Sequence, residues 1–203
     1  MNVGIFGGTF DPIHNGHLAI AEEARTQLGL AKVYLVPAGI PWQKEEGGRE
    51  ITVAEHRLEM VRLAVADNTC FGISEMEIER PGPSYTIDTV ITIQEKLGSE
   101  AVLYLILGWD SLEQLPEWHE AADLVQRCYL VAAPRPGYRR PDLKKLEKRL
   151  PGISGKVMLM AKPRMSVSST EIRERLARGL SARHLIPETV NRYIRRHHLY
   201  EDR

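Results

Sequence analysis

Cysteine is scarce in this chain of 203 residues: Cys70 and Cys128 are the only two. So few, so far apart, leave no CxxC metal motif and no disulfide framework, and both are read as reduced, buried thiols. Long apolar runs are missing too. None reaches the ~18 residues that suggest a membrane-crossing helix, and the N-terminus passes straight into a strand-like segment without the charged and apolar regions of a signal peptide. The cytoplasm is the expected compartment. An excess of either charge is also absent. Lys plus Arg and Asp plus Glu stand at 27 each, so no overall field draws the chain to nucleic acid or to a membrane. Positive charge gathers only locally, in 135–149 and 173–196, mostly as solvated helix faces. No internal repeat, low-complexity tract or linker interrupts the chain.

What is present is alternation. With 43% hydrophobic residues, the chain can bury the core of one compact domain. Apolar runs at 2–6, 32–37, 70–73, 102–107, 129–132 and 157–160 read as strands, with amphipathic helical stretches between them. Gly29 stops the first helix and Gly98 follows the periodic stretch 87–97. Thr52 and Glu55 carry a capping-box signature before a helix over 53–66. This order predicts an α/β fold, a parallel sheet with helices on both faces and ligands outside the carboxyl ends of the strands. From 168 to 179 a polar start, a helix and a glycine stop appear, and Pro187 opens a second short helix, which together predict a small C-terminal helical subregion closing over the sheet edge. The proline- and arginine-rich loop 134–141 and the charged, glycine-rich loop 42–49 are the expected mobile segments.

The most informative run is GGTFDPIHNGH at 7–17, directly after the first strand and opening a helix near Gly16. Glycines there bring main-chain N–H groups close to a ligand, and the helix N-terminus adds unpaired donors and a positive dipole end. Such a strand, turn and helix make a phosphate site, and imidazoles placed in it address anionic oxygens. It is neither a P-loop, which needs GxxxxGK followed by Ser or Thr, nor the GxGxxG dinucleotide fingerprint. HxxH spacing also allows two metal ligands on one helical face, but no third Cys, His or carboxylate stands nearby with motif spacing, so no protein-held metal is expected. VSSTEIR at 167–173 supplies hydroxyls and N–H groups at another helix start, with Arg173 one turn later on the same face.

GGTFDPIHNGH, together with PSYT at 83–86, GWDS at 108–111, PEW at 116–118, RPG at 135–137 and VSSTEIR, resembles the HxGH nucleotidyltransferase superfamily. Within it the chain is similar to the bacterial nicotinate-mononucleotide adenylyltransferases, and the matching motifs span nearly its whole length. The resemblance implies a single nucleotidyltransferase domain over 1–203, with a Rossmann-like doubly wound sheet over 1–165 and a C-terminal helical part over 166–203 carrying SSTEIR. It also implies adenylyl transfer from ATP, with Mg2+ arriving on the nucleotide and held mainly by phosphates and water. His14, His17, Lys44 and Arg173 become the catalytic candidates. Gly7, Gly8, Thr9, Phe10, Gly108, Asp110, Ser168, Ser169 and Thr170 join His14, His17 and Arg173 as ATP-binding candidates. Lys44, Tyr85, Thr86, Trp118, Asp110 and Arg135 are the acceptor-binding candidates, with Trp118 stacking on the pyridine ring. One departure stands out: PWQK at 41–44 occupies the place where the family often has PPHK, which keeps Lys44 but offers no histidine.

Bland readings accompany several of these residues. Tyr85 and Trp118 also suit core aromatics, Asp110 a helix N-cap, Arg135 a solvated loop, and Arg195, Arg196, His197 and His198 a surface. Nicotinate mononucleotide is the leading acceptor, with nicotinamide mononucleotide or phosphopantetheine behind it. A nucleotide-binding sensor without turnover is the reading from another class, disfavoured by the retention of all four catalytic candidates. Self-association into a homo-oligomer is compatible with the sequence but not indicated by it.

Overall fold

The computed structural model describes residues 1–40, 51–135, 137–163 and 167–201. Six parallel strands form one sheet: β1 (Asn2–Gly8), β2 (Lys32–Pro37), β3 (Phe71–Ile73), β4 (Val102–Gly108), β5 (Tyr129–Ala133) and β6 (Val157–Leu159), in the spatial order β3-β2-β1-β4-β5-β6. The chain runs outward from β1 to β3, then returns to β4 on the other side of β1. That reversal leaves a crevice at the carboxyl ends of β1 and β4, the place where ligands bind in open parallel sheets.

Alternation along the strands feeds two cores. Val3 and Ile5 of β1 and Leu103, Leu105 and Leu107 of β4 pack into one apolar cluster, while Phe6 and Ile106 face the other. Every one of these side chains is buried, and each stabilises the fold by roughly 1.5–3 kcal/mol relative to exposure. The sheet is therefore anchored on both faces, which fixes its register and the positions of the loops at its carboxyl edge.

Described helices flank the sheet: α1 (Asn15–Leu28), α2 (Ala54–Val65), α3 (Met76–Glu79), α4 (Thr86–Leu97), α5 (Trp109–Gln114), α6 (Ala121–Arg127), α7 (Leu143–Arg149), α8 (Ser169–Ala177) and α9 (Glu188–Arg196). Gly29 ends α1 in the left-handed region, with its N–H on the Arg25 carbonyl, and Gly98 ends α4 with its N–H on Gln94. The expected capping box at Thr52 and Glu55 does not form. Val53 is the N-cap residue of α2 with no side-chain cap, and buried Thr52 instead lends its carbonyl to Arg57 Nε at 2.8 Å. The third strand starts at Phe71 rather than Cys70, whose N–H closes a turn on Asn68 Oδ1. Both cysteines are free. Cys128 is buried, which pushes its thiol up to about 12, but Cys70 is only half-buried.

The C-terminal helices pack back on the sheet's helical layer. Thr189 Oγ1 donates to the Leu63 carbonyl at 2.9 Å, and His56 Nδ1 lies 2.8 Å from Tyr193 Oη. Among the described residues no helix is long and apolar enough to cross a membrane.

Candidate active site

A cleft of about 530 Å³ opens at the carboxyl ends of β1 and β4. The run GGTFDPIHNGH forms one wall. Gly7 and Gly8 end β1, in register with Val36 and Pro37, and Thr9 and Phe10 carry the chain past the sheet edge. Phe10 has a positive φ of 49° and its ring is buried edge-on against Phe6 and His17, so it supports the wall from behind and offers a ligand its backbone only. The expected helix near Gly16 begins one residue earlier, at Asn15, because His14 is its N-cap.

His14 and His17 form a reciprocal cap. The His17 N–H donates to His14 Nδ1 at 3.3 Å, and the His14 N–H donates to His17 Nδ1 at 3.2 Å. This is the geometry of a capping box with imidazole nitrogens in place of hydroxyl and carboxylate oxygens. A nitrogen that accepts an N–H carries no proton, so each neutral ring bears its proton on Nε2. The rings stack with centroids 3.6 Å apart at 18°. Burial, reinforced by the nearby positive charge of Arg135, lowers His14 to about 4. His14 is thus a neutral N–H donor near pH 7.

The start of α8 closes the other side of the cleft. Ser168 is its N-cap residue, with Oγ accepting the Glu171 N–H at 3.1 Å. Ser169 Oγ donates to the Pro12 carbonyl at 2.9 Å, Arg173 Nη1 to the Asp11 carbonyl at 2.6 Å, and Arg173 Nη2 to Thr170 Oγ1 at 3.1 Å. The Ser169 hydroxyl and the Arg173 guanidinium therefore serve first as joints between α8 and the loop after β1, which the sequence did not reveal. Arg173 stands at the cleft with a guanidinium large enough to bridge loop and ligand.

Toward the other end, Gly108, Asp110, Thr86, Trp118 and Arg135 line the same cleft. Asp110 is not a helix N-cap. Gly108 holds that position, and Asp110 is the second residue of α5, folded back so closely that a Cβ on Gly108 would lie 2.4 Å from its Oδ1. Its Oδ2 pairs with Arg135, while Oδ1 is buried without a hydrogen-bond partner among the described residues. Trp118 Nε1 is likewise buried and unpartnered among them. Tyr85 departs from expectation: it turns to stack on His119, centroids 4.3 Å apart, and does not line the cleft. Lys44, with the rest of PWQK, lies outside the described residues.

A sequence profile of the cytidylyltransferase-like family matches residues 5–175. A protein of Dehalococcoides mccartyi named "Probable nicotinate-nucleotide adenylyltransferase" is 44% identical over 98% of this chain and 97% of its own length. One of Roseiflexus with the same name is 46% identical over 98% and 97%. The chain belongs to the nicotinate-nucleotide adenylyltransferase family. Solved structures agree on the fold: the Plasmodium falciparum nicotinic acid mononucleotide adenylyltransferase complexed with NaAD superposes with a TM-score of 0.80 at 22% identity, covering 98% of this chain and 97% of that one.

The cleft also holds an ionisable group, Glu77, that sequence reasoning missed. Glu77 of α3 is buried in the wall beside Ser84, Thr86 and Thr89, and accepts from Thr89 Oγ1 at 2.6 Å. Burial pushes its carboxyl above the usual range, against the hydroxyls that favour the charged form. Its segment, MEIE, carries no motif that singles it out. Among the described residues no cluster of three or more His, Cys, Asp or Glu could hold a metal.

Proposed function

We propose that the chain transfers the adenylyl group of ATP to nicotinate mononucleotide, giving deamido-NAD and pyrophosphate, a step of NAD biosynthesis in the cytoplasm. The observation that carries this reading is the reciprocal His14–His17 cap, which presents two Nε2–H donors at the start of α1 in a cleft shared with α8. Kinship at 44% identity over nearly the full chain supports the acceptor.

The acceptor phosphate is already an ionised nucleophile, so the reaction needs no protein nucleophile. One of its oxygens attacks the α-phosphorus of ATP. The bond from that phosphorus to the bridging oxygen breaks, and pyrophosphate leaves with the electron pair. Catalysis then consists of holding two polyanions in line and stabilising charge on the α-phosphoryl and bridging oxygens. His14 and His17 donate to those oxygens, Arg173 neutralises the triphosphate, and Gly7, Gly8 and Thr9 offer backbone. Lys44 is assigned to the same task by resemblance. The adenosine side falls to Gly108 and to the unpartnered Asp110 Oδ1, suited to a sugar hydroxyl. Trp118 stacks on the pyridine ring, and the uncapped start of α4 at Thr86 meets its carboxylate.

Mg2+ fits this donor set only as part of the Mg2+–ATP substrate. Asp11 is buried under Tyr200, and Asp110 is paired to Arg135, so the described residues build no carboxylate cage. Bound there, it would screen the phosphates and orient them. We further propose that 1–165 and 166–203 act as one domain, supported by the bonds from Ser169 and Arg173 to the phosphate loop. The balanced charge supports small molecules, not nucleic acid, as partners.

The test is pyrophosphate release from Mg2+–ATP with nicotinate mononucleotide, nicotinamide mononucleotide or phosphopantetheine at matched concentrations. Strong preference for the first supports the assignment. Preference for another acceptor overturns the substrate but keeps the chemistry, and ATP binding without release overturns the reaction.

A further inference from the structure

Arg57 of α2 is only 1% exposed, a costly place for a guanidinium unless its donors are matched. They are matched by carbonyls. Nε donates to Thr52 at 2.8 Å, Nη1 to Thr9 at 2.9 Å and Nη2 to Gly39 at 3.0 Å. These carbonyls belong to three separate stretches: Thr9 in the phosphate loop, Gly39 beyond β2, and Thr52 before α2. The countercharge comes from Asp11, in the same phosphate loop. Asp11 is itself 1% exposed, and its Oδ1 accepts the hydroxyl of buried Tyr200 at 2.7 Å. The phosphate loop is therefore gripped at two neighbouring points by residues far away in sequence, neither of which lines the cleft.

A buried cation is a poor way to add stability, since apolar residues of similar volume commonly do as well or better. What a rigid fork supplies is fixed distance, because its donors sit in one plane and reach three chains together. Tyr200 adds a second fixed point from the far end of the chain. Transfer chemistry depends on such fixing: the donors must already stand where charge will develop.

We infer that Arg57 and Tyr200 are positioning residues for adenylyl transfer, holding Thr9 and Asp11 so that the loop's N–H groups and the paired histidines meet the triphosphate in register. The inference rests on the reading of the loop as the ATP phosphate site. It concerns the ATP half of the reaction first, because the acceptor end is built from the start of α4 and the turn at Trp118.

Two variants test it. Tyr200→Phe keeps the ring and its burial and removes one hydroxyl, and Arg57→Lys keeps the charge but loses the fork. ATP affinity is measured by calorimetry without acceptor, so positioning is read even if no acceptor turns over, and pyrophosphate release by the unmodified chain tests the reaction separately. For Tyr200→Phe the Kd for ATP rises about tenfold, the worth of one lost hydrogen bond. For Arg57→Lys kcat falls roughly 100-fold, as for a displacement of about 1 Å in the reacting geometry. In both, the KM for nicotinate mononucleotide stays within about twofold. A lowered melting midpoint with ATP affinity and kcat unchanged overturns the inference, because the two residues then serve the fold alone. Equal losses on both substrates overturn it too, since that is general loosening. If Arg57→Lys does not fold, Tyr200→Phe decides by itself.

Discussion

His14 and His17 cap each other's backbone, N–H to Nδ1 in both directions at 3.2 and 3.3 Å, with their rings stacked. The helix start is thereby capped by the same two groups that line the cleft. Because Nδ1 of His14 is occupied as an acceptor, protonating it there would cost a cap as well as a desolvated charge. His14, lowered to about 4, is held neutral and keeps Nε2 as its donor.

The neutrality of His14 gives stability a pH dependence. In the unfolded chain an imidazole takes a proton near 6.5, while folded His14 takes none until about 4, held down first by burial and then by Arg135. Between those values the unfolded state binds more protons, so this contribution is present above pH 6.5 and lost as pH falls toward 4, about 3 kcal/mol in all. The variant His14→Asn keeps a good N-cap but lacks the titration. Its melting midpoint is expected to fall less between pH 7 and 4.5 than that of the unmodified chain. Equal falls would refute the role of His14.

Arg135 acts on the same ring from a distance. Replacing it by Ala removes the smaller of the two causes and leaves burial in place, so the His14 midpoint moves up but stays below 6.5. An NMR titration of the imidazole reads this directly. No movement would mean that the Asp110–Arg135 pair already neutralises the guanidinium as seen from His14.

Turnover is expected to depend on His17. If its Nε2–H contact tightens as charge develops, His17→Ala lowers kcat roughly 100- to 1,000-fold, the usual cost of one preorganised donor. Affinity for nicotinate mononucleotide stays nearly constant. Activity within a few-fold of the unmodified chain would remove His17 from the chemistry.

How far the sequence reached depends on whether a residue's role is local. The strands were legible because burial on both faces leaves continuous apolar runs, and the wall of the cleft after β1 because glycines, histidines and a helix start adjoin in sequence. Ser169 and Arg173 were legible as anion-site candidates but not as joints to Pro12 and Asp11, contacts that span 157 and 162 positions. Arg57 and Tyr200 escaped for the same reason. On a helix an arginine four residues after an N-cap reads as solvent-facing, and a tyrosine after RRHHL as surface. Thr52 misled in the other direction: its pattern fits a capping box, but the Arg57 fork claims its carbonyl and the threonine turns inward.

Trp118 separates stacking from packing. Its ring is partly buried against the core, yet it lines the cleft, with Nε1 unpartnered among the described residues. Trp118→Ala is expected to weaken nicotinate mononucleotide binding about tenfold, from lost ring contact, while the Kd for ATP holds. Trp118→Phe keeps a stacking face and loses less. An unchanged acceptor Kd in the Ala variant would return Trp118 to the core.

Two glycines, Gly39 beside the cleft and Gly7 in its wall, make opposite predictions from local space alone. At Gly39 an added Cβ would sit 2.0 Å from the Glu77 carbonyl oxygen, backbone that cannot swing aside, and the glycine's own N–H and carbonyl are tied to Ser84 and Arg57. Gly39→Ala must prise β2's exit from α3, at a cost of about 3 kcal/mol, which in a chain of this size lowers the melting midpoint by roughly 10 °C. At Gly7 an added Cβ meets nothing within 4 Å, because the space beside it is the cleft. Gly7→Ala leaves the midpoint within a few degrees but sets a methyl group where ATP phosphates approach, so KM for ATP rises. Melting curves and ATP kinetics on both variants check the contrast. A stable Gly39→Ala would mean that α3 can yield, and an unaltered KM in Gly7→Ala would mean that the triphosphate does not lie against the end of β1.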